Sequence, residues 1–404
     1  MDKLLFEGCL YLWMSPPGDD QVVTGWACLF NTSQMAGKDL HKEPFDDGTL
    51  LKLEIFHKYL KEWLPVFLNW QYPIEINIVD FFAGQGKDVK GVSGSPLLIV
   101  ETLLNHEKEI KAKNLKVRVI LNELDPGKFK LLSKEMEPYK NSFFELIVEN
   151  EKFTTCFNKH YNRLTKGANY IFLDQNGIKE ITEGIFAKLL DLKRGDILFF
   201  ISSSYLYRFK DLDEFTRYLD TNKIDFDEKH YHSCHRAVVN FYRNQIAQDK
   251  EYYIGPFSLK KGSNIYGLIF GTNHPYGIEK FLKICWSLDP QRGEANYDID
   301  SDKINLSAPS LFPEYNVPKK IQAFEAEMTS YLNGKEYRTL YNAYRLGLFK
   351  GFQPKHVNKI LKELKSRKVV DYDATLVSER VHKVDQNLKI NNLKWDNQGS
   401  NGQN

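Results

Sequence analysis

The residues best suited to do chemistry lie in three short runs. Asp80-Phe81-Phe82-Ala83-Gly84-Gln85-Gly86 places an acid at the end of an apolar run and two glycines directly behind it. Glycine in such a turn permits positive φ and lets backbone come within contact distance of a ligand, a role for Gly84 and Gly86 with Phe82 beside them. Asp80 is an acceptor for a cationic group. A second acid is expected where the next strand ends, and Asn122-Glu123-Leu124-Asp125 supplies Glu123, with Asp125 as the alternative, to accept the two hydroxyls of a ribose. The third run, Phe172-Leu173-Asp174-Gln175-Asn176-Gly177, sets a carboxylate and two amides at a strand end. There Asp174 and Asn176 are the candidates to hold a reacting amine by hydrogen bonds, so that positioning supplies most of the rate. An acid at the first turn suits an adenosyl ligand bearing an ammonium better than a pyrophosphate, and S-adenosylmethionine has that chemistry.

Carboxylates so far apart in sequence meet only if parallel strands end at one edge. Apolar runs at 74–82, 117–122, 144–148, 170–173, 196–202, 252–257 and 265–272 read as strands. Between them, 96–111, 126–136, 178–192 and 212–219 carry apolar residues three and four apart, as helices do. An amphipathic helix with Leu53, Phe56, Leu60, Trp63 and Phe67 on one stripe precedes them. The expected class is α/β: a doubly wound parallel sheet over residues 50–290. Residues 1–49 read as an irregular N-terminal segment and 291–320 as a linker. Helical spacing followed by a β-like run makes 321–382 a winged-helix-like module. The polar end, 383–404, is expected to be disordered.

Composition narrows the function classes. The 404 residues are 42% hydrophobic, enough for an ordinary core, and the net charge of +2 excludes a chain that is basic throughout. Mean hydropathy is −0.46, and no apolar stretch approaches the length of a spanning helix. Glu7 interrupts any apolar leader, so a cytoplasmic protein without membrane contact is expected. Five cysteines, none in a C-x-x-C pair, read as reduced thiols. His230, His232 and Cys234 would share one face of a strand, yet the spacing matches no structural zinc pattern, and no metal ligands are assigned. Arg236 and Arg243, with His235 and Asn240, are instead candidates for phosphate contact. His274 reads as part of a helix entry capped by Thr272 or Asn273. Motifs of serine hydrolases, zincins and P-loop ATPases are absent. Ten basic residues against two acids between 335 and 368 give the one strong local charge. Lys355, Lys359 and Lys362 lie on one helical face there, as a nucleic-acid-binding helix would present them.

Several of these runs together resemble the three-Cys-motif partner (TcmP) family. The likeness rests on the helix with Tyr59-Leu60 and Trp63-Leu64-Pro65, Asp80 to Gly86, Gly94-Ser95-Pro96-Leu97, Asn122 to Asp125, Phe172-Leu173-Asp174, Leu268 to His274, Gly277 and Cys285-Trp286. The resemblance implies a methyltransferase-like Rossmann domain with a small helical or winged-helix end. It also implies a three-Cys-motif, phage-related partner protein and a place in phage defence or a mobile element. The family's D-P-F-G-like tetrad is replaced here by Asp174-Gln175-Asn176-Gly177. The leading expectation is an S-adenosylmethionine-dependent methyltransferase acting on nucleic acid. The alternatives are a non-catalytic nucleic-acid- or partner-binding protein and a nuclease holding magnesium with Asp80, Glu123 and Asp174.

Overall fold

The computed structural model describes residues 43–72, 74–175, 179–210, 220–227, 230–305, 307–334 and 337–394. They belong to one compact unit that begins at His41. The helix expected over 212–219 lies outside the described residues.

Its sheet is built from β1 (Glu75–Asp80), β2 (Lys116–Asn122), β3 (Glu145–Glu149), β4 (Ala168–Leu173), β5 (Gly195–Ile201), β6 (Tyr253–Lys261) and β7 (Asn264–Thr272). The strand order is β3-β2-β1-β4-β5-β7-β6. The first five strands are parallel, with Asp80 of β1 in register with Leu121 of β2 and Phe172 of β4. One strand corrects the all-parallel expectation: β7 runs antiparallel to both β5 and β6. Only Gly262 and Ser263 separate β6 from β7, and Gly262 has φ +57°, which is a hairpin turn too short for any crossover. This order, with one reversed strand beside the sixth, is the methyltransferase-type variant of the doubly wound sheet.

Helices cover both faces: α1 (Asp47–Leu68), α2 (Ser95–Asn105), α3 (Glu107–Ala112), α4 (Pro126–Met136), α5 (Phe153–Leu164), α6 (Glu183–Leu190), α7 (Ser203–Phe209), α8 (Cys234–Asn244) and α9 (Pro275–Leu288). Because side chains alternate along a strand, Ile78, Val119 and Tyr170 pack toward α1, α2 and α9, while Val79, Ile120 and Ile171 pack toward α5, α6 and α8. Asp46 starts α1 by accepting the Thr49 N–H at 3.0 Å. The apolar stripe of α1 then lies on the sheet, with Phe56 stacked on Tyr170 at 5.3 Å, which fixes where α1 delivers its polar residues.

After the sheet come α10 (Lys319–Leu332), α11 (Leu340–Phe349) and α12 (Pro354–Ser366). A small antiparallel sheet joins β8 (Arg338–Thr339), β9 (Val370–Asp371) and β10 (Lys389–Asn392) in the order β8-β10-β9. Its middle strand comes from residues that composition places in the polar tail. The loop expected as a linker is clasped by charge: Arg236 of α8 pairs with Glu294 at 2.6 Å and Asp300 at 2.5 Å, and the buried Arg292 pairs with Asp298 and Asp302. Trp286 of α9 donates to the Gly351 carbonyl at 3.0 Å, and Tyr253 of β6 stacks on Phe349 at 4.4 Å, so the C-terminal helices share a core with the sheet.

Candidate functional site

β2 and β4 flank β1, so their carboxyl ends open one crevice where the crossovers diverge to opposite sides. The turn leaving β1 is held at several points. Ala83 N–H donates to the Asn122 carbonyl at 2.9 Å, and Gly94 N–H donates to the Gly86 carbonyl at 2.8 Å. Gly84 and Gly86 have φ of +64° and +93°, a conformation that L side chains rarely adopt. A Cβ on Gly94 would stand 3.0 Å from the Gly86 oxygen, so the two legs of the loop approach too closely for a larger residue. The segment after Gly86 is folded around Asp88, whose carboxylate accepts the Phe45, Lys90 and Val92 N–H groups.

Asp80 has no exposed surface; the Phe82 N–H and the Ser95 hydroxyl both donate to it. Burial pushes its carboxyl up to about 7; those two donors oppose the rise, and the charges of Asp174 and Glu123 add to it. The acid expected to meet a ligand directly therefore works from beneath the loop, fastening it to the start of α2. Ser95, the residue that makes this possible, stands in the run Gly94-Ser95-Pro96-Leu97, but nothing in that run marks its hydroxyl as the partner of Asp80.

Glu123 is the half-buried acid of the crevice. One oxygen accepts the Gly84 N–H at 2.9 Å and the other the Asp125 N–H at 2.8 Å. Each oxygen keeps a lone pair, enough to accept one hydroxyl apiece. Asp125 caps α4, accepting the Lys128 N–H at 2.8 Å. Phe82 is half-buried, with its ring 5.3 Å from that of Phe153.

At the end of β4, Asp174 is hydrogen-bonded to the ammonium of Lys52 on α1. Lys52 is itself buried and lies 4.7 Å over the Phe200 ring. Nothing in the spacing of α1 marks it, because its partner is 122 residues away. Gln175 is buried, donating to the Phe200 carbonyl at 3.2 Å and accepting the Glu180 N–H at 3.0 Å, so it ties the end of β4 to β5. Asn176 lies outside the described residues.

The other candidates disperse. Arg236 is spent on Glu294 and Asp300, which corrects its reading as a phosphate contact. Arg243 donates to the Ile254 carbonyl and to Asn240. His235 is buried between the Ser203 hydroxyl and the Leu268 carbonyl, and burial holds it down to about 4. Residues 231–233 form a turn leading into α8 and not a strand, so the alternation that would put His230, His232 and Cys234 on one face does not apply. His274, not Thr272 or Asn273, caps α9 by accepting the Tyr276 N–H at 3.1 Å. Lys355, Lys359 and Lys362 are exposed on α12, and Lys359 pairs with Glu325 at 2.8 Å.

Among the described residues, one group brings three metal-capable atoms within 4.8 Å of one another: Glu149, Cys156 and His160. Glu149 already accepts from His160 at 2.9 Å and Lys159 at 2.7 Å, while burial pushes the Cys156 thiol up to about 12, away from the thiolate a metal needs. Asp80, Glu123 and Asp174 do not converge to that distance.

Trm1 from Pyrococcus horikoshii, solved with S-adenosyl-L-methionine, is similar over 86% of this chain and 91% of its own, at 10% identity and a TM-score of 0.37. An rRNA methylase from Streptococcus thermophilus is similar over 54% of this chain and 93% of its own, at 15% identity and a TM-score of 0.29. The SAM-dependent methyltransferase from Agrobacterium tumefaciens is similar over 55% and 62% respectively, at 7% identity and a TM-score of 0.32. No protein-family model and no curated protein matches the chain. The fold assignment rests on the order and direction of the strands: this is a Rossmann-like domain of methyltransferase type. No helix among the described residues is long and apolar enough to cross a membrane.

Proposed function

We propose that the chain binds S-adenosylmethionine in the crevice at the ends of β1, β2 and β4 and directs methyl transfer to a nucleic acid. The observation that carries this is the joint placement of a positive-φ glycine turn and Glu123, whose carboxylate is fixed by the Gly84 N–H where a ribose would lie. The residues fit the cofactor: the glycines leave room for its backbone approach, Glu123 accepts its ribose hydroxyls, and buried Asp80 favours its positive charge. When bound, the cofactor supplies an electrophilic methyl group on a sulfonium. Asp174 then accepts a hydrogen bond from the target amine and aims its lone pair at that methyl, while Lys52 supplies the counter-charge that holds Asp174 in place. A base in a duplex must leave the stack to reach this edge.

The C-terminal helices and small sheet serve as a winged-helix-like module in this reading, with Lys355 and Lys362 free to meet phosphates. The resemblance to three-Cys-motif partner proteins extends the reading to a protein partner and to phage defence. A second reading, a binding protein without catalysis, draws on two observations. Lys52 occupies Asp174, and buried Gln175 stands where a proline is expected. Transfer of tritiated methyl from S-adenosylmethionine to DNA or RNA, lost in Asp174→Asn, supports catalysis; no label on any nucleic acid, with nucleic-acid binding intact, supports the second reading.

A further inference from the structure

At the edge strand β6, between α8 and α10, lies a cavity of about 400 Å³ that shares no residue with the crevice. Five of its lining side chains are cations and three are carboxylates. Four of the cations are committed: Arg236 and Lys320 to Glu294, Lys319 to Asp302, and Lys350 to Glu327. Arg243 is not. Among the described residues it makes no ion pair, and its hydrogen bonds go to the Asn240 side chain at 3.2 Å and the Ile254 carbonyl at 3.0 Å. A guanidinium has five N–H groups, so three remain on a side chain that lines the cavity. Burial holds this guanidinium below its usual range and the Glu294 carboxylate nearby offsets that only in part, so a further anionic partner would stabilise its charge. The lining also includes Phe324 and Phe352, buried and stacked on each other 3.8 Å apart at 8°.

We propose that this cavity is a second ligand site that takes the phosphate group of a nucleotide or a nucleic-acid strand on the open fork of Arg243, in a lining that includes the Phe324–Phe352 pair. Planar N–H pairs match phosphate oxygens, and an aromatic lining favours a phosphate that carries a base over inorganic phosphate.

Calorimetric titration of the full chain with inorganic phosphate, AMP and a single strand of about ten nucleotides tests this. Two variants accompany it: Arg243→Gln removes the fork, and Ala323→Trp fills the cavity from the exposed side of α10 without changing charge. Saturable binding that weakens about ten-fold or more in each variant is expected. It should persist in Gly86→Trp, which separates this site from the crevice. AMP binding with competition by phosphate identifies a free nucleotide as the source; binding of the strand alone, still lost in both variants, identifies a nucleic-acid backbone. No saturable binding of any probe up to about 10 mM, or unchanged affinity in Arg243→Gln, overturns the proposal. If Arg243→Gln does not fold, Ala323→Trp decides alone, with unchanged affinity counting against the site.

Discussion

Replacing Asp80 with Asn should change how stability responds to pH. In the folded chain the Asp80 carboxyl is pushed up to about 7 from 3.8, chiefly by burial. A folded value above the unfolded one means the native state holds this proton more tightly, so its stabilisation is complete below about 3.8 and is lost as pH rises through about 7. Between about pH 5 and about pH 8 that loss amounts to about 2–3 kcal/mol. Asn keeps an oxygen for the Phe82 N–H and an amide that can donate to the Ser95 hydroxyl, but it does not titrate. Urea denaturation of both proteins at the two pH values isolates the effect, because every other titration is common to them. The variant should gain about 2–3 kcal/mol on wild type between the lower and the higher pH. A difference between the two proteins that stays constant within about 0.5 kcal/mol would refute the reasoning. The same linkage predicts that a cation bound over the loop releases a proton near neutrality, readable as buffer-dependent binding enthalpy.

Two further predictions follow from ion pairs. Lys52→Met leaves Asp174 half-buried without its cation, so a loss of about 1–3 kcal/mol is expected by chemical denaturation, and methyl transfer should fall while Lys52→Arg restores part of both. Unchanged stability and transfer in Lys52→Met would show that the pair does nothing. Arg236→Gln strips the buried Glu294 of one of its two cations and leaves Asp300 only its longer contact with Arg292 at 3.9 Å, which should cost about 3–5 kcal/mol at neutral pH. Burial alone would raise the Glu294 carboxyl, but Lys320 and Arg236 together hold it well below its usual range. The wild-type advantage is thus present above about pH 4.5 and shrinks as acid protonates that carboxylate. An advantage that does not change between about pH 7 and about pH 3 contradicts this assignment.

The crevice was legible because its parts are local. A buried strand ending in Asp80, glycines two residues apart and an acid after the next strand are each visible within a few residues, and periodicity placed the strands and helices between them. What escaped depends on partners far along the chain. Lys52 reads as one more polar position on α1 until the fold sets it against Asp174. Arg236 and Arg243 look alike in sequence, yet only Arg236 finds carboxylates, because they come from the loop at 294–300. The reversed β7 follows from the two-residue hairpin at Gly262-Ser263, a pair that suits such a turn but is masked because the polar end of β6, Ser258 to Lys261, does not read as strand. The strand Lys389–Asn392 is polar on its surface side and gains its place by pairing with β8 and β9, which composition does not register.

The central claim is that the crevice at β1, β2 and β4 is a cofactor site. Calorimetric titration of the full chain with S-adenosylmethionine and with its demethylated product tests it most directly, beside Gly86→Trp, in which a large side chain must sit at φ +93° against Glu135. Saturable binding of both ligands to wild type, absent from a folded Gly86→Trp, is the predicted result. No heat of binding at millimolar ligand, or equal binding to both proteins, would contradict it.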